Sequence, residues 1–136
     1  MAAADRVILD SDVLIDLASG EGRAIDLVDG FISRGERPCI SIITEMELFL
    51  GARSKAEQRS VGQLVQRFAV LPISEMISVR ARNLTVRYAR SHGLTIPDAL
   101  IAATTISNRA LLLTRNVRHF SFIPRLQVRM PYTRGA

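Results

Sequence analysis

Residues 6–19 read RVILDSDVLIDLAS. Arg6 to Asp10 is an apolar run of the kind buried in a sheet, and it ends in an acid. From Asp12 to Ser19 the pattern becomes that of a short helix, stopped near Gly20 and Gly22. Strand, acid and helix form the opening unit, and the alternation continues outward from it. Arg23 to Arg34 spaces Ala24, Ile25, Leu27, Val28, Phe31 and Ile32 as a helix does, with Gly35 as its stop. Pro38 to Ile42 is a second short strand. Thr44 to Ala52 and Lys55 to Phe68 are helical stretches. Ala69 to Ile73 is a third apolar run, which Pro72 assigns to a sheet edge or a strand end. Ser74 or Ser78 caps a long helix running to about Ser91 and closed by Gly93, and Pro97 to Asn108 is a compact apolar helix. Ala110 to Thr114 is a strand covered on both faces, and Leu126 to Met130 is a last one. Strands alternating with helices specify an α/β fold, a three-layer α/β/α sandwich around a mainly parallel sheet of four or five strands. Ligand sites in such folds lie beyond the carboxyl ends of the strands.

At 136 residues the chain has the length of one domain, residues 1–136, with no repeat or Pro/Gly-rich linker to divide it. A content of 48% hydrophobic and 23% charged residues describes a globular chain, not a disordered one. Cys39 is the one cysteine, so no intrachain disulfide and no thiolate metal cluster forms, and a reducing, cytoplasmic setting follows. MAAADR lacks the apolar core of a signal peptide, and no apolar stretch is long enough to span a bilayer. The charge is uneven. Residues 1–75 hold 8 basic and 12 acidic side chains, whereas residues 76–136 hold 10 arginines and one acid. A basic half suits a polyanionic partner, with nucleic acid first, although an arginine-rich composition also gives a merely solvated surface.

Three acids stand in unusual company. Asp10 ends the first strand, where an α/β site is expected, or else caps the following helix. Asp12 is the better cap of the pair, and Asp16, one turn on, faces solvent. Glu47 lies among Met46, Leu48, Phe49 and Leu50. Thr44-x-x-Glu47 fits a capping box as well as a catalytic acid, and spacing does not choose between them. Asp98 is the only acid after residue 75 and sits among Ile96, Pro97, Ala99 and Leu100. A carboxylate there is costly unless paired or metal-bound. Pro97 suits the first helical position and so places Asp98 in the first turn, near the positive end of the helix dipole. Thr95-x-x-Asp98 also fits a cap. Converging carboxylates repel by roughly 4 kcal/mol at 4 Å and an effective dielectric of 20, so they raise one another's pKa values or hold a cation. Oxygen donors without a Cys or His cluster suit Mg²⁺ or Mn²⁺.

These residues resemble the PIN-domain nucleases and, within them, the VapC-type toxins of bacterial and archaeal toxin–antitoxin pairs. The resemblance runs from Val7 to about Met130 on four motifs in order: VILDSDVLID, SIITEMELFLGA, IPDALIAATTI and LLLTRNVRHF. It implies a PIN-like fold and a metal-dependent endoribonuclease that hydrolyses RNA phosphodiester bonds. Asp10 and Asp98 are then the main metal ligands for Mg²⁺ or Mn²⁺. Glu47 completes the acidic cluster, as a second ligand or as the group orienting the attacking water. Asn116 stands where many relatives carry a fourth acid; its amide binds a metal-held water but is no base, which bears on whether one ion is held or two. Asp12 replaces the Asn or Ser common in relatives, adding charge or capping the helix. Ser11 and Thr114 hydrogen-bond the ligand acids, and Arg115 and Arg118 contact phosphate or form surface ion pairs. The resemblance also implies a VapB-type antitoxin with a segment across the active-site groove, and a toxin homodimer. Leu48, Phe49 and Leu50 contribute to those contacts or belong to the core.

Other residues have plainer readings. His119, beside Phe120, is a packed structural histidine before it is a general base. His92 fits a helix C-terminus, and Cys39 fits the core. A haloacid-dehalogenase-like phosphatase also opens with a strand and Asp-x-Asp, with Asp10 as nucleophile. It expects a Thr where Leu14 stands and a buried lysine, and the one lysine is Lys55. A non-catalytic PIN-like domain binding RNA or protein is the other alternative, kept open by Asn116.

Overall fold

The computed structural model describes residues 6–133. The opening MAAAD, part of the stretch read above as lacking a leader, lies outside them. Among the described residues five strands form one sheet: β1 (Arg6–Leu9), β2 (Cys39–Ser41), β3 (Ala69–Leu71), β4 (Ala110–Leu113) and β5 (Gln127–Arg129). Their order is β3-β2-β1-β4-β5, and every pairing is parallel. The helices are α1 (Ser11–Ala18), α2 (Gly22–Ser33), α3 (Ile42–Leu50), α4 (Lys55–Val65), α5 (Glu75–His92) and α6 (Ile96–Ser107). A short 3-10 turn, Val117–His119, follows β4.

Strand alternation divides the core into two layers. Ile8 and Leu112 pack with Ile77, Ala81, Tyr88, Ala99 and Ala102 of α5 and α6. Leu9, Ile40 and Leu113 face the opposite way, with Val13, Leu14, Val28, Leu48 and Val65 of α1 to α4. The sheet is thus covered on both sides, as its near-continuous apolar strands require. Fully buried Ala99, Ala102 and Ala103 allow α6 a close approach to its neighbours. Pro72 directly follows β3, which is an edge strand.

Helix starts depart from the sequence reading in two places that matter. Asp10 itself caps α1, its side chain accepting from Ser11 N at 2.8 Å, so Asp12 is not the cap. Ser41 caps α3 by accepting from Ile43 N at 3.1 Å. Thr44 therefore lies buried inside the helix, and the Thr44–Glu47 capping box does not form. In both cases a polar residue at or just past the end of a strand caps the next helix, which starts one or two residues earlier than the apolar spacing suggests. Ser74 caps α5, which ends at Gly93 in the left-handed conformation (φ 68°), where glycine carries no Cβ penalty.

Candidate active site

β1 and β4 are adjacent, with Leu9 in register with Leu113, yet the chain leaves them toward opposite halves of the sheet. This is a switch point in the strand order, and the crevice beyond it is where an open α/β sheet binds ligands. Asp10 and Thr114 follow directly from the two strand ends. The Thr114 hydroxyl donates to Asp10 Oδ2 at 2.7 Å, and Ser11 N holds Oδ1. Asp10 is only 6% exposed. Burial pushes its pKa up to about 6, with Asp12 and Asp98 adding repulsion, while the hydrogen bonds from Thr114 and Ser11 oppose the rise.

Asp12 reaches across to the loop after β4. Its Oδ2 accepts from Arg115 N at 2.9 Å and from Asn116 Nδ2 at 3.2 Å. Its Oδ1 is buried and meets no donor among the described residues. Burial raises its pKa above the ordinary carboxylate value, against the Arg115 N–H and the Arg115 charge. Asp12 thus belongs to the site and not to a helix cap.

Glu47 approaches from α3. Its Oε1 accepts from Ser11 Oγ at 2.6 Å, with Thr44 Oγ1 3.1 Å from the same hydroxyl. Asp98 approaches from α6. Thr95 caps that helix through Asp98 N at 3.3 Å, which is one half of a capping box. The Asp98 Oδ2 lies 3.7 Å from His119 Nδ1. Burial lifts the Asp98 pKa, aided by the charges of Glu47 and Asp12 and opposed by His119 and the Thr95 hydroxyl. His119 is exposed and not the packed residue expected. Asn116 is exposed, and its amide binds Asp12. The structure therefore brings Asp10, Asp98, Glu47 and Asn116 to one mouth of the sheet and adds Asp12.

The sequence reading missed Asp16. It is 1% exposed, not solvent-facing. Arg115 Nε stands 2.9 Å from its Oδ2, but the N–H is not aimed at that oxygen, so the contact is an ion pair and not a hydrogen bond. Tyr132 donates its hydroxyl to Asp16 Oδ2 at 2.9 Å. Arg115 is thereby held from its side chain while its backbone N–H holds Asp12. The available signal was position: Asp16 lies three residues after buried Val13, on the inner side of α1. Arg118 is exposed.

The donor set fits a hard divalent cation. It offers carboxylate oxygens from the end of β1 and from α1, α3 and α6, a repulsion that a cation would relieve, and one orphaned buried oxygen on Asp12. Among the described residues, however, no three acids, histidines or cysteines are drawn around one point. Lys55 is exposed at the start of α4, not buried as a haloacid-dehalogenase-like phosphatase needs. Beside Glu47, Ser11, Ile15, Leu48, Gly51, Ala52 and Val61 line a mainly apolar groove of about 440 Å³ between α1, α3 and α4. Leu48 is buried core, whereas Leu50 is 86% exposed. No helix is long and apolar enough to cross a membrane among the described residues.

Comparison with known proteins agrees with this geometry. A family model for the PIN domain matches residues 7–125. Ribonuclease VapC10 of Mycobacterium tuberculosis is 38% identical over 123 residues, covering 89% of this chain and 90% of that protein. Ribonuclease VapC19 of the same organism is 35% identical over 121 residues, covering 88% and 96%. A toxin–antitoxin complex from Klebsiella pneumoniae contains a chain 32% identical, with a TM-score of 0.75 over 93% of this chain and 98% of that one. A chain of DNA-bound VapBC from Salmonella typhimurium, 26% identical, gives a TM-score of 0.80 over 93% and 98%.

Proposed function

Because this chain belongs to the PIN-domain family, we propose that its carboxylate pocket is the catalytic centre of an endoribonuclease toxin, paired with a VapB-type antitoxin. The observation that carries this reading is the meeting of Asp10, Asp12, Glu47 and Asp98 at the strand switch point, with a buried Asp12 oxygen lacking a donor. Acids that repel one another add nothing to the packing there, and they suit the cation and proton handling of phosphodiester hydrolysis.

Asp10 and Asp98 would hold Mg²⁺ or Mn²⁺. The ion supplies positive charge against the phosphodiester and favours ionisation of the attacking water. Thr114 and the Ser11 N–H fix the Asp10 carboxylate, and the Thr95 cap fixes the turn that carries Asp98. Asp12, held by Arg115 N, adds negative charge beside Asp10. Glu47 is the exposed acid of the group. Ser11 engages its Oε1, which leaves Oε2 to take a proton from water as the phosphorus–oxygen bond to that water forms, the ester bond breaks and the departing ribose oxygen takes up a proton from solvent. Asn116 orients through its amide and takes no proton.

The groove between α1, α3 and α4 ends at Glu47 and suits an apolar antitoxin segment that blocks the acid. The toxin works as a homodimer in the cytoplasm, where Cys39 stays reduced. The test is purified protein with Mn²⁺ and structured RNA, with the 5′ ends of the products mapped and Asp98→Asn as control. Cleavage at defined positions is expected from the wild type alone. Equal cleavage by Asp98→Asn overturns the assignment.

A further inference from the structure

Most arginines of the basic half take no part in the carboxylate pocket. Three of them, Arg80 and Arg87 of α5 and Arg125 in the turn before β5, line one cavity of about 220 Å³ with Asn83 and Tyr88. Arg80, Asn83 and Arg87 are spaced three and four apart and so share one face of α5. No acid lines this cavity, and none of the three arginines pairs with a carboxylate among the described residues. Arg125 adopts φ 69°, a turn conformation that ordinarily falls to glycine or asparagine. The cavity is several times the volume of a water molecule, about 30 Å³, and so admits a phosphate group.

Tyr88 joins the cavity to a second feature. The Arg87 guanidinium lies 5.8 Å from its ring centre. The same ring meets Phe122 at 5.2 Å and His92 at 5.5 Å. His92 and Phe122 stack nearly parallel, with centroids 4.3 Å apart and an angle of 18°. His92 is exposed, with Nδ1 engaged by the Ser91 hydroxyl at 2.7 Å. The chain links this stack to the catalytic pocket. Phe122 lies on the segment that carries His119, which is 3.7 Å from Asp98, and His92 ends α5 just before the turn into α6, which bears Asp98.

We infer that this strip binds a single-stranded segment of the RNA substrate flanking the scissile bond. Arg80, Arg87 and Arg125 take a backbone phosphate, and the His92–Phe122 stack takes a base. Unpaired cations beside an aromatic platform are the combination by which proteins hold single strands without reading sequence. An acidic peptide needs the arginines but not the stack. The inference rests on the ribonuclease reading and adds where the substrate lies.

The test reads binding of a labelled, unstructured, uridine-rich RNA by fluorescence anisotropy in chelator, so that no cleavage is needed, across a range of salt. Replacing Arg80, Arg87 and Arg125 together by Gln is expected to lower the log–log salt slope by about 0.7, the value for one phosphate contact on a single strand. Arg87→Gln alone lowers it by less than the triple variant and serves if the triple variant melts below wild type. His92→Ala weakens binding about tenfold, whereas His92→Phe keeps a ring and retains the affinity. An unchanged slope and unchanged affinity in the folded variants overturn the inference, and Mn²⁺-dependent cleavage by the wild type then leaves the ribonuclease reading standing. The expected losses in a protein that never cuts RNA support the RNA strip and overturn that reading instead. Arginine-dependent binding of a polyglutamate peptide, with RNA affinity unchanged, identifies a protein-docking face and overturns the inference.

Discussion

Asp10 is the residue on which proton and cation would compete in the proposed metal site. Its folded pKa of about 6 exceeds the ordinary 3.8, so between those values the folded state holds more protons than the unfolded one. Its contribution to stability is complete below about pH 4 and is lost as pH rises through about 6, by roughly 3 kcal/mol in all. In chelator, Asp10→Asn should therefore raise the melting temperature above pH 6 but not below pH 4; an equal effect at both would contradict the shift. Mg²⁺ should raise the melting temperature of the wild type increasingly across the same interval. Glu47→Gln keeps the acceptor for Ser11 but removes the proposed base, so kcat should fall about 10²–10⁴-fold with KM little changed. Tyr132→Phe removes the donor to buried Asp16 and should cost about 1–3 kcal/mol in urea unfolding. Asp10, Glu47 and Asp98 stood out as candidates because each is an acid out of place in apolar sequence, although spacing left Glu47 between a cap and a catalytic acid. Asp16 was not, because its partners Arg115 and Tyr132 lie far along the chain and only folding makes its burial visible.

At the scale of the element, apolar spacing located every strand and helix, and the errors gather at their junctions. Asp10 and Ser41 each end an extended segment and cap the next helix, a double use that periodicity does not register. That misplacement hid the release of Glu47 from any cap: once α3 starts at Ile42, the side chain of Glu47 is free to meet Ser11. The Thr95–Asp98 junction was more readable, since Pro97 marks the first turn. Thr95→Ala should cost about 1 kcal/mol of stability and slacken the turn that carries Asp98, read as a lower melting temperature and weaker Mg²⁺ stabilisation. At the far end of α5, a Cβ on Gly93 would meet nothing within 4 Å, yet its φ is 68°. Gly93→Ala should therefore lose about 1 kcal/mol through backbone strain alone, and Gly93→Asn less.

At the scale of the whole molecule, the alternation of strand and helix made the sandwich legible, whereas the strand order is a property of pairing that no local pattern encodes. That order places β1 against β4 and so sets the Asp10 carboxylate beside the Thr114 hydroxyl, 104 positions away. Asp98, too, arrives late. A chain still being translated presents its opening aspartates long before the segments that complete the pocket have emerged from the ribosome. If the chain is the RNA-cutting toxin proposed, its synthesis would be safe for the cell until β4 has been made and docked, and the interval in which an antitoxin must intercept it would begin only then.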